Sequence, residues 1–214
     1  MPEVIETTVF KFDELSPAAQ EAARDWYREI APHHGWWQWV YDDFEAICTC
    51  FGITIKRIPK NGRDPATGTR RCIWFSGFWN QGDGACFEGS WRYARGSSLA
   101  IRAHAPQDTV LHQIADRLQE IQKRNFYQLT GDISHRDRYY HAYCMDIRVE
   151  RDAPNWQPMT EDAEGIVIDA LRDLAKWLYR ALEAEYAFWT SDAEIDAALE
   201  ANGYTFTEEG RRFG

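Results

Sequence analysis

The chain has 214 residues, a formal net charge of −10, 44% apolar residues and 14% aromatic residues. This composition supplies enough apolar side chains for one sizeable core and excludes wholesale disorder. No apolar run approaches the roughly 18 residues of a membrane span, and the first residues lack a signal-peptide pattern. We therefore expect a globular cytoplasmic protein without a membrane segment.

The charge is unevenly distributed along the chain. Residues 1–50 carry a net charge of −7, residues 51–151 carry +6, and residues 152–200 carry −9. One interpretation is that acidic helices surround a mildly basic sheet and that their fields largely cancel. The alternatives are an acidic face that occupies the nucleic-acid site of a partner, or a basic, aromatic sheet that holds a nucleotide.

The first part of the chain is predicted to be mainly helical. A short strand is expected over residues 7–12, where apolar and polar residues alternate. Ser16 followed by Pro17 is typical of a helix start, and apolar residues at three- and four-residue spacing continue to Ile30. A second apolar stripe predicts a helix from Trp36 to Phe51.

The middle of the chain alternates with a period of two and predicts strands. One strand is expected over residues 53–58, and two more, over 72–79 and 85–93, are joined by a glycine-rich turn at 80–84. A helix over residues 109–126 follows, with Asp108 as its cap. Strands over 127–135 and 139–151 are then joined by the charged turn Arg136-Asp137-Arg138.

The last part of the chain is predicted to be helical again. A helix of about 28 residues starts near Thr160, and Ser191 caps a short helix that ends at Gly203, before a brief terminal strand or extended tail over 204–212. We therefore predict an α+β fold with a mostly antiparallel sheet of four to six strands, helices packed on it and a long C-terminal helix. The chain is expected to form a single domain over 1–214, with a helical part (1–50), a sheet core with one helix (51–151) and C-terminal helices (152–214).

No sequence motif names a reaction. Nucleophile-elbow, phosphate-loop and dinucleotide-binding patterns are missing, and the histidines show no metal-ligand spacing. Cys48 and Cys50 have C-x-C spacing, whereas zinc and redox sites usually use C-x-x-C. We therefore predict no catalytic residue, no metal ligand and no cofactor, and favour a non-enzymatic protein. A small enzyme with an unfamiliar site remains an alternative.

Aromatic residues are concentrated in the predicted strands. A sheet that is buried on both faces explains them without a ligand, whereas a groove lined by aromatic rings would stack a base or a small ligand. On the second interpretation the candidate ligand-binding residues are Trp74, Trp79, Trp91 and Tyr140.

Three strings carry a resemblance to a known family: "FSGFWNQGDGACFEGSW", "HAPQDTVLHQIADRLQEIQKRNFY" and "SDAEIDAALEANGYTFTEEGRR". Together they resemble a family of small phage and prophage proteins, some of which are labelled antitoxin of toxin-antitoxin stability system. The resemblance implies a mobile-element accessory protein that neutralises a bacterial host protein, such as a toxin, a nuclease or a defence complex, in the host cytoplasm. It implies no catalytic residues.

The acidic helices suit such a role, because an acidic surface competes with nucleic acid for a basic groove. We do not expect direct binding to nucleic acid or to a membrane. The polar hairpin tip is a second possible contact. The candidate partner-binding residues are Glu183, Glu185, Asp192, Glu194, Asn80, Gln81 and Asp83.

Overall fold

A computed structural model describes residues 6–30, 35–60, 68–136 and 138–214. The chain forms two compact units. We call residues 1–38 and 183–214 the helical unit and residues 39–182 the sheet unit. The predicted organisation as a single domain stays a prediction.

The helices follow the caps and apolar stripes of the sequence. The first begins at Pro17, as predicted, and the Asp108 and Ser191 side chains each accept a hydrogen bond from the backbone N–H three residues later. The longest helix has 27 residues. The helices are α1 (Pro17–Ile30), α2 (Gln38–Phe51), α3 (Ser97–His104), α4 (Thr109–Arg124), α5 (Ala163–Trp189) and α6 (Asp192–Ala201).

The strands of the sheet unit form one four-stranded antiparallel sheet, in the order β1-β6-β7-β8, and two strand pairs, β2–β3 and β4–β5. This arrangement, together with the helices and the long α5, confirms the predicted α+β fold. The strands are β1 (Ile53–Ile55), β2 (Arg57–Pro59), β3 (Thr69–Arg71), β4 (Ile73–Ser76), β5 (Gly84–Phe87), β6 (Gly89–Arg92), β7 (Leu129–His135) and β8 (Met145–Arg151).

One face of the four-stranded sheet is buried under helices. The Gln122 side chain of α4 donates to the Leu129 carbonyl at 2.8 Å and accepts from the Leu129 N–H at 3.1 Å, which ties the helix to the start of β7. Leu171 of α5 approaches Gly131 of β7, where no side chain stands in its way. The Trp91 indole N–H donates to the Phe51 carbonyl at the end of α2. The sheet therefore anchors three helices.

Three strands change partner at one point. Lys56, Cys72 and Glu88 each separate two short strands, and their backbones form a closed ring of hydrogen bonds. Lys56 N–H donates to Glu88 O at 2.8 Å, Glu88 N–H to Cys72 O at 2.9 Å, and Cys72 N–H to Lys56 O at 2.8 Å. We call this ring the three-strand junction. It lets one strand pair belong to the main sheet while the other two diverge from it.

The Glu88 side chain closes the junction. Its carboxylate accepts the Lys56 ammonium at 2.5 Å and the His135 N–H at 3.3 Å, so it links the junction to the end of β7. The hydrogen bond to Glu88 raises the pKa of Lys56 above its usual value. Because Glu88 is buried, its charge needs such partners.

The helical unit contains α1, the last turns of α5, α6 and the two short strands β9 (Thr205–Phe206) and β10 (Arg212–Phe213). Arg24 of α1 binds Asp196 of α6 through two hydrogen bonds of 2.7 and 2.8 Å. Arg28 pairs with Asp192. The core of the helical unit is formed by Phe12, Leu15, Ala19, Ala23, Ile195, Leu199 and Phe206.

Several predicted strands differ from the structure. The strand expected over 72–79 ends at Ser76, and the strand expected over 85–93 is divided at Glu88 by the junction. Residues 7–12 contribute a single bridge, between Phe10 and Phe206, and then a 3-10 turn at Phe12–Glu14, instead of a strand.

Two further differences lie in the second half of the sheet unit. The strand expected over 139–151 begins at Met145, because Ala142–Cys144 forms a 3-10 turn. Asp137 of the predicted turn lies outside the described residues. Helix α3 was not predicted, since its eight residues are too few to show a clear apolar stripe.

A substitution at Gly89 tests the junction. A Cβ atom at this position would lie 2.3 Å from the Thr54 carbonyl oxygen of β1, so Gly89→Ala must force the two strands apart. We expect the free energy of unfolding to fall by about 2 kcal/mol or more in urea titrations. Gly165→Ala in α5 is the control, because nothing lies within 4 Å of its Cβ, and we expect a gain of about 0.5–1 kcal/mol. Equal effects of the two substitutions would contradict this role of Gly89.

Candidate binding surfaces

The tip of the β4–β5 hairpin is organised by Asp83. Its carboxylate accepts the N–H groups of Trp79 at 3.1 Å and Asn80 at 2.8 Å, and its own N–H donates to the Asn80 carbonyl at 3.1 Å. Asp83 therefore shapes the loop from inside, whereas Asn80 and Gln81 are exposed. Of the three tip residues predicted to contact a partner, these two present their side chains to solvent.

Large aromatic side chains surround this tip. Trp79 is 76% exposed, and Tyr139 and Tyr143 of the β7–β8 connection are also exposed. Gly82 has a φ of +96°, and a Cβ there would contact the Tyr139 ring at 3.5 Å. Absence of a side chain at Gly82 thus allows the tip to approach the β7–β8 connection.

The other predicted ligand-binding residues have different surroundings. Trp74 and Tyr140 stack with ring centroids 6.2 Å apart, and His135 packs against both rings. Trp91 is 1% exposed and lies in the core, where its indole N–H is already bonded. A ligand at the surface cannot reach Trp91. For this residue the structure therefore agrees with the interpretation of a sheet packed on both faces and not with an aromatic ligand groove.

A cleft of about 300 Å³ lies between the hairpin tip, the β7–β8 connection and α5. The Lys176 ammonium stands 5.2 Å from the centre of the Tyr143 ring and donates to Asp173 at 3.0 Å, which raises the pKa of Lys176. Tyr179 donates its hydroxyl to the Gly77 carbonyl at 3.1 Å. The cleft thus combines aromatic walls with a cation that stays charged.

His141 and Cys144 form a thiol–imidazole pair beside the cleft. His141 Nε2 lies 3.3 Å from Cys144 Sγ, and His141 Nδ1 accepts the Tyr143 N–H at 3.1 Å. Because Nδ1 is an acceptor, the neutral ring carries its proton on Nε2 and directs it at the sulfur. The ring therefore donates a hydrogen bond to the sulfur and does not act as a base toward the thiol.

The solvent face of the four-stranded sheet is polar and nearly balanced in charge. The outward residues of its strands include two arginines and three carboxylates, and none of them is aromatic. A basic, aromatic sheet face for a nucleotide is not found on these strands. The residues are Thr54, Ser90, Arg92, Thr130, Asp132, Ser134, Asp146, Arg148 and Glu150.

Three aromatic residues with strained backbones were missed by sequence reasoning. Phe126, Tyr127 and Trp156 have φ values of 56°, 60° and 52°, a region that bulky residues rarely adopt. All three are exposed, Trp156 by 96%. Arg151 lies 5.4 Å from the Phe126 ring and donates to the Pro158 carbonyl at 2.8 Å, which holds the segments near each other.

A second cavity, of about 490 Å³, lies beside Trp156. Strained, exposed aromatic residues occur at binding surfaces, so this end of the sheet is a second candidate binding surface. No periodic signal in the sequence marks this surface, because Phe126 was assigned to the end of the predicted helix over residues 109–126.

The predicted acidic residues lie in the helical unit. This unit has fifteen acidic and five basic residues, for a net charge of −10, whereas the sheet unit has nineteen of each and is neutral. Glu183 is exposed, Glu185 accepts the Trp189 indole N–H at 2.8 Å, and Asp192 pairs with Arg28. Glu194 lies in the first turn of α6.

A comparison with protein-family models finds a match that covers most of this chain. The model described as a domain of unknown function, DUF8835, matches residues 36–192. The chain belongs to the DUF8835 family. No curated protein and no solved structure matches it.

The DUF8835 match contains the whole sheet unit, with the hairpin tip, the cleft and the strained aromatic residues. It ends at Asp192, so Glu183 and Glu185 lie inside it and Glu194 lies outside. Within the described residues, no helix is long and apolar enough to cross a membrane. No group of three or more His, Cys, Asp or Glu side chains in the described part of the chain is placed to hold a metal ion.

The five cysteines, all in the reduced form, give a test of the site geometry. Burial raises the pKa of Cys86 to about 12 and also raises the pKa values of Cys48 and Cys72, whereas Cys144 is partly exposed beside a hydrogen-bond donor. At pH 8 we expect iodoacetamide to modify Cys144 at least about ten times faster than Cys86, as measured by peptide mass spectrometry.

His141→Ala should slow the modification of Cys144, because the thiolate loses its donor, and should leave the partly exposed Cys50 unchanged as an internal control. Rapid modification of Cys86 in the folded protein, or no effect of His141→Ala on Cys144, would contradict the described geometry.

Proposed function

We propose that the protein is a non-enzymatic binding protein whose helical unit engages a basic surface of a partner protein and neutralises it. The observation that carries this proposal is the segregation of charge. The entire net charge of −10 belongs to the 70-residue helical unit, and the sheet unit is neutral. A field of one sign favours association with a surface of opposite sign.

Internal ion pairs cannot remove this charge. Arg24 and Arg28 of α1 are committed to the carboxylates of Glu21, Asp25, Asp192 and Asp196. The helical unit has only five basic residues, so its own cations can neutralise at most five of its fifteen carboxylates. The surface is therefore acidic even after its own arginines are paired.

Exposed aromatic residues accompany the acidic ones on the last turns of α5. Phe188 and Trp189 are both exposed, and Trp189 is held to Glu185 by its indole hydrogen bond. Aromatic residues supply much of the binding energy at protein interfaces, while surrounding charges set orientation and association rate. Acidic and aromatic groups together suit a protein partner.

The resemblance to phage and prophage proteins supports a bacterial host protein as the partner, such as a toxin, a nuclease or a defence complex. Proteins of these classes commonly use a basic groove to hold nucleic acid. An acidic surface that occupies the groove would inhibit its owner without any chemical step. This role is that of a counter-defence inhibitor or an antitoxin-like protein.

Charge reversal tests this function. Immobilised wild-type protein should capture a basic protein from a bacterial lysate, and excess double-stranded DNA should release it, because both compete for one groove. Glu183→Lys/Glu185→Lys should weaken capture by about ten-fold or more. Capture by the wild type and by this variant should both fall steeply as the salt concentration rises.

The matched control is Glu120→Lys/Glu161→Lys, which makes the same change in net charge at exposed positions of the sheet unit. We expect this variant to capture the protein as the wild type does. Equal losses in the two variants would show that total charge matters and not the helical unit, and capture that resists DNA would contradict a shared groove.

A further inference from the structure

The free edge of β8 differs from the other edge of the four-stranded sheet. Strand β8 pairs with β7 on one side, through the seven residue pairs from Leu129↔Arg151 to His135↔Met145, and has no strand on its other side among the described residues. At the opposite edge β1 has three residues. Long unpaired edges are places where another chain can add a strand.

The direction of the backbone groups in β8 follows from one hydrogen bond. The Asp152 N–H donates to the Gln128 carbonyl at 2.9 Å, and these residues lie directly opposite each other in the register. Hydrogen-bonded pairs alternate along an antiparallel ladder, so Asp146, Arg148 and Glu150 direct their backbone groups toward β7. Met145, Ile147 and Val149 direct theirs outward.

The Met145 N–H donates to the Ala142 carbonyl, and the other outward groups have no backbone partner among the described residues. The side chains of the same three residues are buried under the helices. A strand added at this edge would therefore continue the sheet without rearranging the core.

The side chains on the solvent face restrict which strand fits. The sequence Asp146-Ile147-Arg148-Val149-Glu150 alternates acidic and basic residues at every second position. In an antiparallel pairing of two copies centred on Ile147, Asp146 of each copy lies opposite Arg148 of the other. A pairing centred on Arg148 would place Asp146 opposite Glu150 and the two arginines opposite each other, which is unfavourable.

We propose that a second copy of this chain pairs with β8 in an antiparallel register centred on Ile147, so that two four-stranded sheets become one continuous sheet. About four backbone hydrogen bonds form: Ile147 N–H of each copy donates to the Ile147 carbonyl of the other, and Val149 N–H of each copy donates to the Met145 carbonyl of the other. Two Asp146–Arg148 ion pairs lie on the solvent face. This inference concerns the sheet unit and does not depend on the proposed partner of the helical unit.

The mass of the full chain in solution tests the inference. The chain has a mass of 24.9 kDa, and we expect light scattering at micromolar concentrations to give twice this value. Asp146→Arg places like charges opposite each other in the dimer and should weaken dimerisation by about ten-fold or more. Across β7 the substituted residue faces Ser134, and within its own copy it loses only an exposed ion pair with Arg136 at 3.7 Å, so the fold of each copy is little disturbed.

Mixing two variants gives the decisive experiment. Arg148→Asp alone should also be monomeric, but an equimolar mixture of Asp146→Arg and Arg148→Asp proteins should form a heterodimer, because arginines of one copy then face aspartates of the other. Since Arg148 lies opposite Asp132 in its own sheet, thermal melting of Arg148→Asp must first show a folded protein. If it is unfolded, the Asp146→Arg result alone decides.

Glu150→Arg is the control for register. In the pairing centred on Ile147, Glu150 faces Cys144 and the dimer should persist, whereas a pairing centred on Val149 would oppose Glu150 to Arg148 and be lost. A monomeric wild-type protein, a dimer unaffected by Asp146→Arg, a folded pair of variants that fails to form the heterodimer, or loss of the dimer in Glu150→Arg would each overturn the proposal.

Discussion

The ring of backbone hydrogen bonds among Lys56, Cys72 and Glu88 is the constraint on which the sheet unit depends. A strand has two sides, and a continuous strand normally keeps the same neighbours along its length. Here three strands exchange neighbours at one residue each, so every strand contributes to two pairings. The buried Glu88 carboxylate stabilises the ring by binding Lys56 and the end of β7. The next residue, Gly89, lies so close to the Thr54 carbonyl that a side chain would not fit there. Because Gly89 has none, β1 and β6 stay paired directly beside the ring.

The junction also determines where the candidate surfaces lie. It separates the β4–β5 hairpin from the four-stranded sheet, so the hairpin tip meets the β7–β8 connection and α5 around the cleft. The main sheet keeps one buried face and one polar face. The ladder from β1 to β8 then ends in a long edge whose outward backbone groups belong to residues with buried side chains. The candidate site at the hairpin tip and the proposed interface at the β8 edge therefore use different surfaces of one unit.

The sequence predicted elements wherever the signal was local. Pro17, Asp108 and Ser191 act through atoms within three residues of themselves. The predicted starts of the three helices at these residues therefore agree closely with the structure. The division of a strand at Glu88 could not be predicted, because the residues before and after Glu88 in 85–93 have the same strand-like pattern. The division is caused by backbone hydrogen bonds to Lys56 and Cys72, which are distant in the sequence. Burial of Trp91 likewise depends on Phe51, forty residues away. The acidic residues were predicted from charge blocks, but their gathering into one unit required the fold to bring residues 1–38 and 183–214 together.

The separation of charge gives the two units different capacities for association. A surface that carries −10 repels its own copy and attracts a basic partner, whereas a neutral surface does neither at long range. Self-association is therefore least opposed in the sheet unit, where the alternating charges of β8 complement themselves. In the proposed function the acidic helical unit engages a different protein. If two copies are joined through β8, two acidic units act on one assembly, and the second contact to a partner with repeated basic sites becomes intramolecular, which strengthens binding without any new residue.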